Sequence, residues 1–141
     1  MRRLLLFSFL IACHKTEPGP QAPAVPGGAA VTAQIDQGKQ LYVDHCAKCH
    51  GNAGQGTDKA PPVVGKQAFP QKPRAGAKRD AEFHTAADVF AWTTQHMPGD
   101  APGSLATDQY LAIFAFDLTA NGVTLDKPLD GPAAQAIVLH P

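Results

Sequence analysis

The stretch Cys46-Ala47-Lys48-Cys49-His50 decides how this chain is read. A C-x-x-C-H sequence is the pattern of covalent c-type haem attachment. Two thiols one helical turn apart can each add to a vinyl group of the porphyrin, and the imidazole directly after the second thiol is then held under the iron. Cys46 and Cys49 are therefore the candidate thioethers, and His50 is the candidate proximal ligand. The 141 residues contain no second C-x-x-C-H and no internal repeat, so one domain with one haem is expected.

Two other chemistries use the same residue types. Tetrahedral zinc would take Cys46, Cys49 and two histidines, but the usual second ligand pair at defined spacing is missing. A thioredoxin-like redox pair needs a β-α-β framework, and the periodicity here is helical.

Working outward, Ile35, Gly38, Leu41, Tyr42 and His45 fall on one side at helical spacing and predict a first helix from about Ile35 into the motif. Gly38 inside it costs about 1 kcal/mol relative to alanine, which points to close approach of another helix. Gly51, Gly54 and Gly56 predict a tight loop, and Pro61-Pro62 extends it to Gly65. Lys66 to Phe83, rich in Pro, Gly and base, reads as loop. Thr85, with Asp88 three residues on, predicts a capped helix from Ala86 to about Gln95, with Ala86, Val89, Phe90 and Thr93 on one face and Pro98 as its stop. Thr107 reads as the N-cap of a last helix from Asp108 to about Ala120, with Tyr110, Leu111, Phe114 and Leu118 as its apolar stripe. Phe116 lies off that stripe, exposed or packed under the tail. After Gly122 the expectation is loop, with a short turn near Ala133 to Val138.

Once Met1 leaves with a signal segment, Met97 is the one thioether in the mature chain. It is the candidate distal ligand, with adjacent His96 as close competitor and His84 as a distant one. A His/Met pair raises the reduction potential relative to two imidazoles and closes both faces of the iron, which means electron transfer rather than catalysis.

The surroundings Gly38-Lys39-Gln40-Leu41-Tyr42, Pro61-Pro62-Val63-Val64-Gly65 and Met97-Pro98 resemble the small single-haem class I cytochromes c, over roughly residues 35 to 122. The resemblance implies an all-α fold of about three to four helices around one covalently bound haem c. It implies Met97 as axial ligand to iron, and a proline carbonyl accepting the ring N–H of His50, with Pro61 the matching position and Pro62 next to it. The implied function is one-electron transfer between redox proteins such as a quinol-oxidising complex, a periplasmic dehydrogenase or a terminal oxidase. The alternatives are a haem enzyme or gas sensor with an open or labile distal site, and a haem-bearing subunit of a larger dehydrogenase or oxidase complex.

The N-terminal dozen residues read as targeting: Arg2-Arg3 forms the positive region, and Leu4 to Ala12 is an apolar run too short to span a bilayer. Leu10-Ile11-Ala12-Cys13 resembles a lipobox, so a signal peptide over 1–12 and a lipidated Cys13 are expected, placing the protein exported, on the periplasmic side and membrane-anchored. Residues 13–33, mostly Pro, Gly, Ala, Gln and Thr, read as a tether with a reach on the order of 60 Å at about 3.1 Å per residue. The haem domain is expected over 34–122 and a tail over 123–141. Lipid and haem use all three cysteines, and none is left for a disulfide.

Twelve basic and twelve acidic residues give a formal charge of zero, which offers nothing to a nucleic acid. The charges are segregated nonetheless. Lys59, Lys66, Lys72, Arg74, Lys78 and Arg79 lie in a stretch without acids, whereas from Asp80 onward eight acids face Lys127 alone. Tyr42, Trp92, Lys66, Arg74, Lys78 and Arg79 are candidates to bind the haem propionates, and most of the basic loop is expected to be solvated surface.

Overall fold

A computed structural model describes residues 28–140. The expected signal peptide, Cys13 and the tether up to residue 27 lie outside the described residues. Within them the chain forms five helices: α1 (Gly28–His45), α2 (Ala47–His50), α3 (Ala86–His96), α4 (Thr107–Ala120) and α5 (Gly131–Ala136). Among the described residues there is no strand, only an isolated bridge between Thr85 and Val138. The described residues are all-α, as expected, with the short α2 and α5 in addition to three longer helices.

The first helix starts at Gly28 rather than near Ile35, so residues 28–33, expected as tether, are helical. Ala29 and Ala30 are strong helix formers. Val31 is buried, and the Gln34 amide pins the helix to the far end of the chain: its Nε2 donates to the Leu129 carbonyl at 3.0 Å, and its Oε1 accepts from the Leu129 amide at 2.7 Å.

Gly38 is where α1 crosses α4. A Cβ there would lie 1.9 Å from the carbonyl oxygen of Ala112, so the close approach expected of this glycine is present. α4 is buried on far more than the predicted stripe, with Tyr110, Ala112, Ile113, Phe114, Ala115, Asp117 and Leu118 all inside. The reason is that it lies between two clusters. Phe114 and Leu118 join Phe83, Ala86, Val89, Leu129 and Ala134, while Ile113 joins Tyr42 and Ala47. Phe116 packs with this second group, its ring 5.4 Å from that of Tyr42, and is neither exposed nor under the tail.

The Thr85 cap forms as expected: the Asp88 carboxylate accepts from the Thr85 amide at 2.8 Å, and the Asp88 amide donates to the Thr85 hydroxyl. α3 ends at His96 because Met97, preceding Pro98, is held in an extended conformation (φ −119°, ψ 154°). α4 begins one residue earlier than expected. Ala106 occupies the cap position, its amide donating to Gln109 Oε1 at 2.9 Å, and Thr107 is the first helical residue.

The tail is core rather than loop. Asp130 caps α5 by accepting from the Ala133 amide at 2.7 Å, and Leu129 and Ala134 are sealed from solvent against α3 and α4.

Candidate functional site

Cys46, Cys49 and His50 occupy positions i, i+3 and i+4 across the start of α2, so all three side chains share one face. That face is one wall of a cavity of about 680 Å³. Its backbone is held by hydrogen bonds from the His50 amide to the Cys46 carbonyl at 2.9 Å and from the Tyr42 hydroxyl to the Gly51 carbonyl at 2.8 Å. The following loop then folds back, with the Gly56 amide donating to the His50 carbonyl at 2.7 Å. Only glycine suits residue 56: φ is 82°, and a Cβ would meet Pro62 nitrogen at 2.7 Å. This return brings the Pro61 carbonyl to 2.7 Å from His50 Nδ1. A carbonyl can only accept, so Nδ1 carries a proton, which leaves Nε2 as the ring nitrogen available to a metal.

Met97 lines the same cavity from the end of α3. Its carbonyl accepts from the Tyr110 hydroxyl of α4 at 2.5 Å and from the Gly103 amide at 3.3 Å, so the backbone of this loop is fixed from two directions. His96 also lines the cavity, but its Nδ1 donates to the Trp92 carbonyl at 2.8 Å and its ring stacks on Trp92 at 4.5 Å. His84 lies elsewhere, exposed beside Glu82. An ion pair between Lys48 and Asp100 links the motif to the loop after Met97. Both partners are more than half exposed, so it contributes little stability.

The basic residues divide. Arg74, Lys78 and Arg79 line the cavity, as does Lys59, while Lys66 does not. Arg79 is buried rather than solvated. Its guanidinium donates to the carbonyls of Pro70, Gln71 and Ala81 and sits 3.7 Å over the Phe83 ring. Burial holds its pKa below the usual arginine value. The hydroxyl of Tyr42, a propionate candidate, is instead committed to Gly51. Burial, with Asp117 as the next cause, pushes the Cys46 thiol up to about 12 and the Tyr42 phenol well above its ordinary range.

Asp117 is the polar residue that the pattern reading missed. It lines the cavity from α4, is 7% exposed, and its Oδ1 has no hydrogen-bond partner. The available signal was a lone acid one turn after Ile113 in an otherwise apolar run from Tyr110 to Leu118.

A haem fits this donor set. The cavity volume is within the roughly 300–1,000 Å³ range of cofactor sites. Cys46 and Cys49 are free thiols, His50 offers Nε2, and Val89, Trp92, Ile113 and Phe114 provide apolar walls. Among the described residues no three His, Cys, Asp or Glu side chains are grouped to hold a metal ion by themselves.

The family model described as cytochrome c oxidase, cbb3-type, subunit III, matches residues 33–116. The chain belongs to this cytochrome c family. The chain is also 37% identical over 92 residues to the thiosulfate dehydrogenase of Stutzerimonas stutzeri (strain A1501), a match that covers 62% of this chain and 26% of that protein. A chain in the crystal structure of the sulfane dehydrogenase SoxCD from Paracoccus pantotrophus superposes with a TM-score of 0.57 at 28% identity, over 74% of this chain and 52% of that one. The chain thus spans about a quarter of the first relative's length and about half of the second's. Membership makes haem c, with its iron, the cofactor of this cytochrome c domain and electron transfer in a redox chain its role.

Proposed function

We propose that the protein is a one-electron carrier with a single haem c, bound through Cys46 and Cys49 and ligated by His50 and Met97. The observation that carries this reading is the placement of His50, its Nδ1 engaged by the Pro61 carbonyl at 2.7 Å, and of Met97 on the walls of one cavity. When bound, haem supplies an iron that cycles between ferric and ferrous states. The protein's own residues do the rest. The Pro61 carbonyl orients His50 and raises its basicity. Tyr110 holds the Met97 backbone in place, and the Trp92 contacts occupy His96. Arg79, buried with only neutral carbonyls as acceptors, is the best-placed cation to offset propionate charge. Lys59, Arg74 and Lys78 present positive charge at the cavity to an acidic redox partner.

We further propose that the domain is exported and anchored on the periplasmic side through lipidated Cys13, exchanging electrons with a quinol-oxidising complex, a dehydrogenase or a terminal oxidase. The names of the two relatives, both dehydrogenases, favour a dehydrogenase as donor or as the complex to which the domain belongs. The test is an absorption spectrum with intact mass on the exported protein. One haem, a methionine-to-iron charge-transfer band and no carbon monoxide binding are expected, with Met97→Ala losing the band and binding the gas. A wild-type protein that binds carbon monoxide at once would replace the carrier with the sensor or enzyme reading.

A further inference from the structure

Asp117 is built into the cavity wall and is not one of the thioether or ligand residues proposed above. It is 7% exposed, lines the cavity, and leaves Oδ1 without a donor. An unpaired buried carboxylate costs several kcal/mol, so burial favours the neutral carboxyl. Retaining a carboxyl here in place of an apolar side chain has a structural cost, and a buried orphan of this kind in a redox site calls for a role.

The titratable and charged groups that share the cavity narrow that role: Tyr42 and His45 of α1, Cys46 after it, Lys48, Cys49 and His50 of α2, His96 of α3, Asp100 after it, and Lys59, Arg74, Lys78 and Arg79 of the loop before α3. Among the hydrogen bonds and ion pairs of the described residues, none of these engages the Asp117 carboxyl. The Tyr42 hydroxyl is used by Gly51, and the Arg79 guanidinium by three carbonyls. Cys46, once a thioether, no longer titrates. Asp117 is influenced by no ion pair, and burial alone holds its pKa well above the ordinary carboxylate range.

We propose that Asp117 couples a proton to the electron carried by this domain. Losing one electron adds one positive charge within a poorly solvated cavity, and an adjacent carboxyl can cancel it by becoming a carboxylate. The reduced protein with neutral Asp117 then gives one electron to a one-electron acceptor protein and one proton to water, and both return on reduction. No bond other than the carboxyl O–H is broken. Among the described residues Asp117 makes no hydrogen bond or ion pair with His50 or Met97, and it acts through charge.

This proposal rests on the carrier reading, and potentiometry separates the two. In the haem-loaded wild-type protein the midpoint potential should fall as pH rises across the range in which Asp117 titrates. The slope should approach 59 mV for each tenfold change in proton activity, the one-electron limit. Asp117→Asn, nearly isosteric and never charged, should flatten that slope, and Asp117→Glu should restore it at a displaced pH. A wild-type potential independent of pH, or an Asn variant with the wild-type slope, overturns the proposal while leaving the carrier intact. A protein purified without haem bands overturns both. Reduced-minus-oxidised infrared difference spectra of the unaltered protein supply a test that needs no variant. A protonated carboxyl signal should appear in the reduced state and vanish on oxidation, and its absence refutes the coupling.

Discussion

Replacing Gly38 by alanine is the sharpest test of how this domain is assembled. A Cβ at that position would lie 1.9 Å from the Ala112 carbonyl oxygen, 2.4 Å from its carbon and 3.0 Å from the Ile113 nitrogen. Carbon and carbonyl oxygen approach no closer than about 3.3 Å, so the helices would have to separate by about 1.4 Å. The obstruction is backbone, and no rotamer change relieves it. Intrinsic helix preference favours the alanine by about 1 kcal/mol. Overpacking typically costs about 1 to 3 kcal/mol, and a backbone clash of this depth belongs at or above the upper end. The expected net loss is about 2 kcal/mol. With a shift of about 4 to 8 °C per kcal/mol for a domain near this size, the melting temperature should fall by on the order of 10 °C. Thermal unfolding followed by helical circular dichroism measures it. An unchanged or raised melting temperature would mean that helix propensity wins, and that α1 and α4 do not meet at Gly38.

Three further outcomes follow from local hydrogen bonds. Thr85→Ala removes the N-cap of α3 and should cost about 1 kcal/mol in urea unfolding. The amides of Thr85 and His84, at 2.8 and 2.9 Å, hold the Asp88 carboxyl below its ordinary pKa. Its contribution is therefore complete above the unfolded-state value of about 4 and is lost as pH falls through the lower native value, so Asp88→Asn should flatten the acid limb of a stability profile. Tyr110→Phe deletes the donor to the Met97 carbonyl. It should cost about 1 kcal/mol and make the methionine band of the loaded protein weaken at lower temperature than in wild type; an unaltered band would show that Gly103 alone holds the loop.

Much of the site was legible because its determinants are local. Thr85 and Asp88 are three residues apart, Pro98 restricts the residue beside it, and C-x-x-C-H occupies a single turn. Each needs only its neighbours on the chain. Gly38 was legible for a different reason: a glycine in a helix costs free energy, and the cost pointed to a partner helix without identifying Ala112. The tail and the start of α1 were misread together, since their ordering is mutual. Gln34 and Leu129 satisfy one another across 95 residues of sequence, and neither segment has a sustained apolar period to announce a packed element by itself.

By itself, then, the sequence determined the helical class and the haem c chemistry of the family, because thiol, imidazole and thioether carry their reactivity wherever they are placed. Tertiary structure alone decided which polar groups would be deprived of water. Arg79 and Asp117 are ordinary charged residues in the linear chain. Folding surrounds Arg79 with three carbonyls and a phenyl ring and leaves Asp117 with no partner for Oδ1. Desolvation is a property of everything packed around a group, contributed here by α1, α2, α4 and the loop before α3 at once. No periodicity along one of those segments could have revealed it.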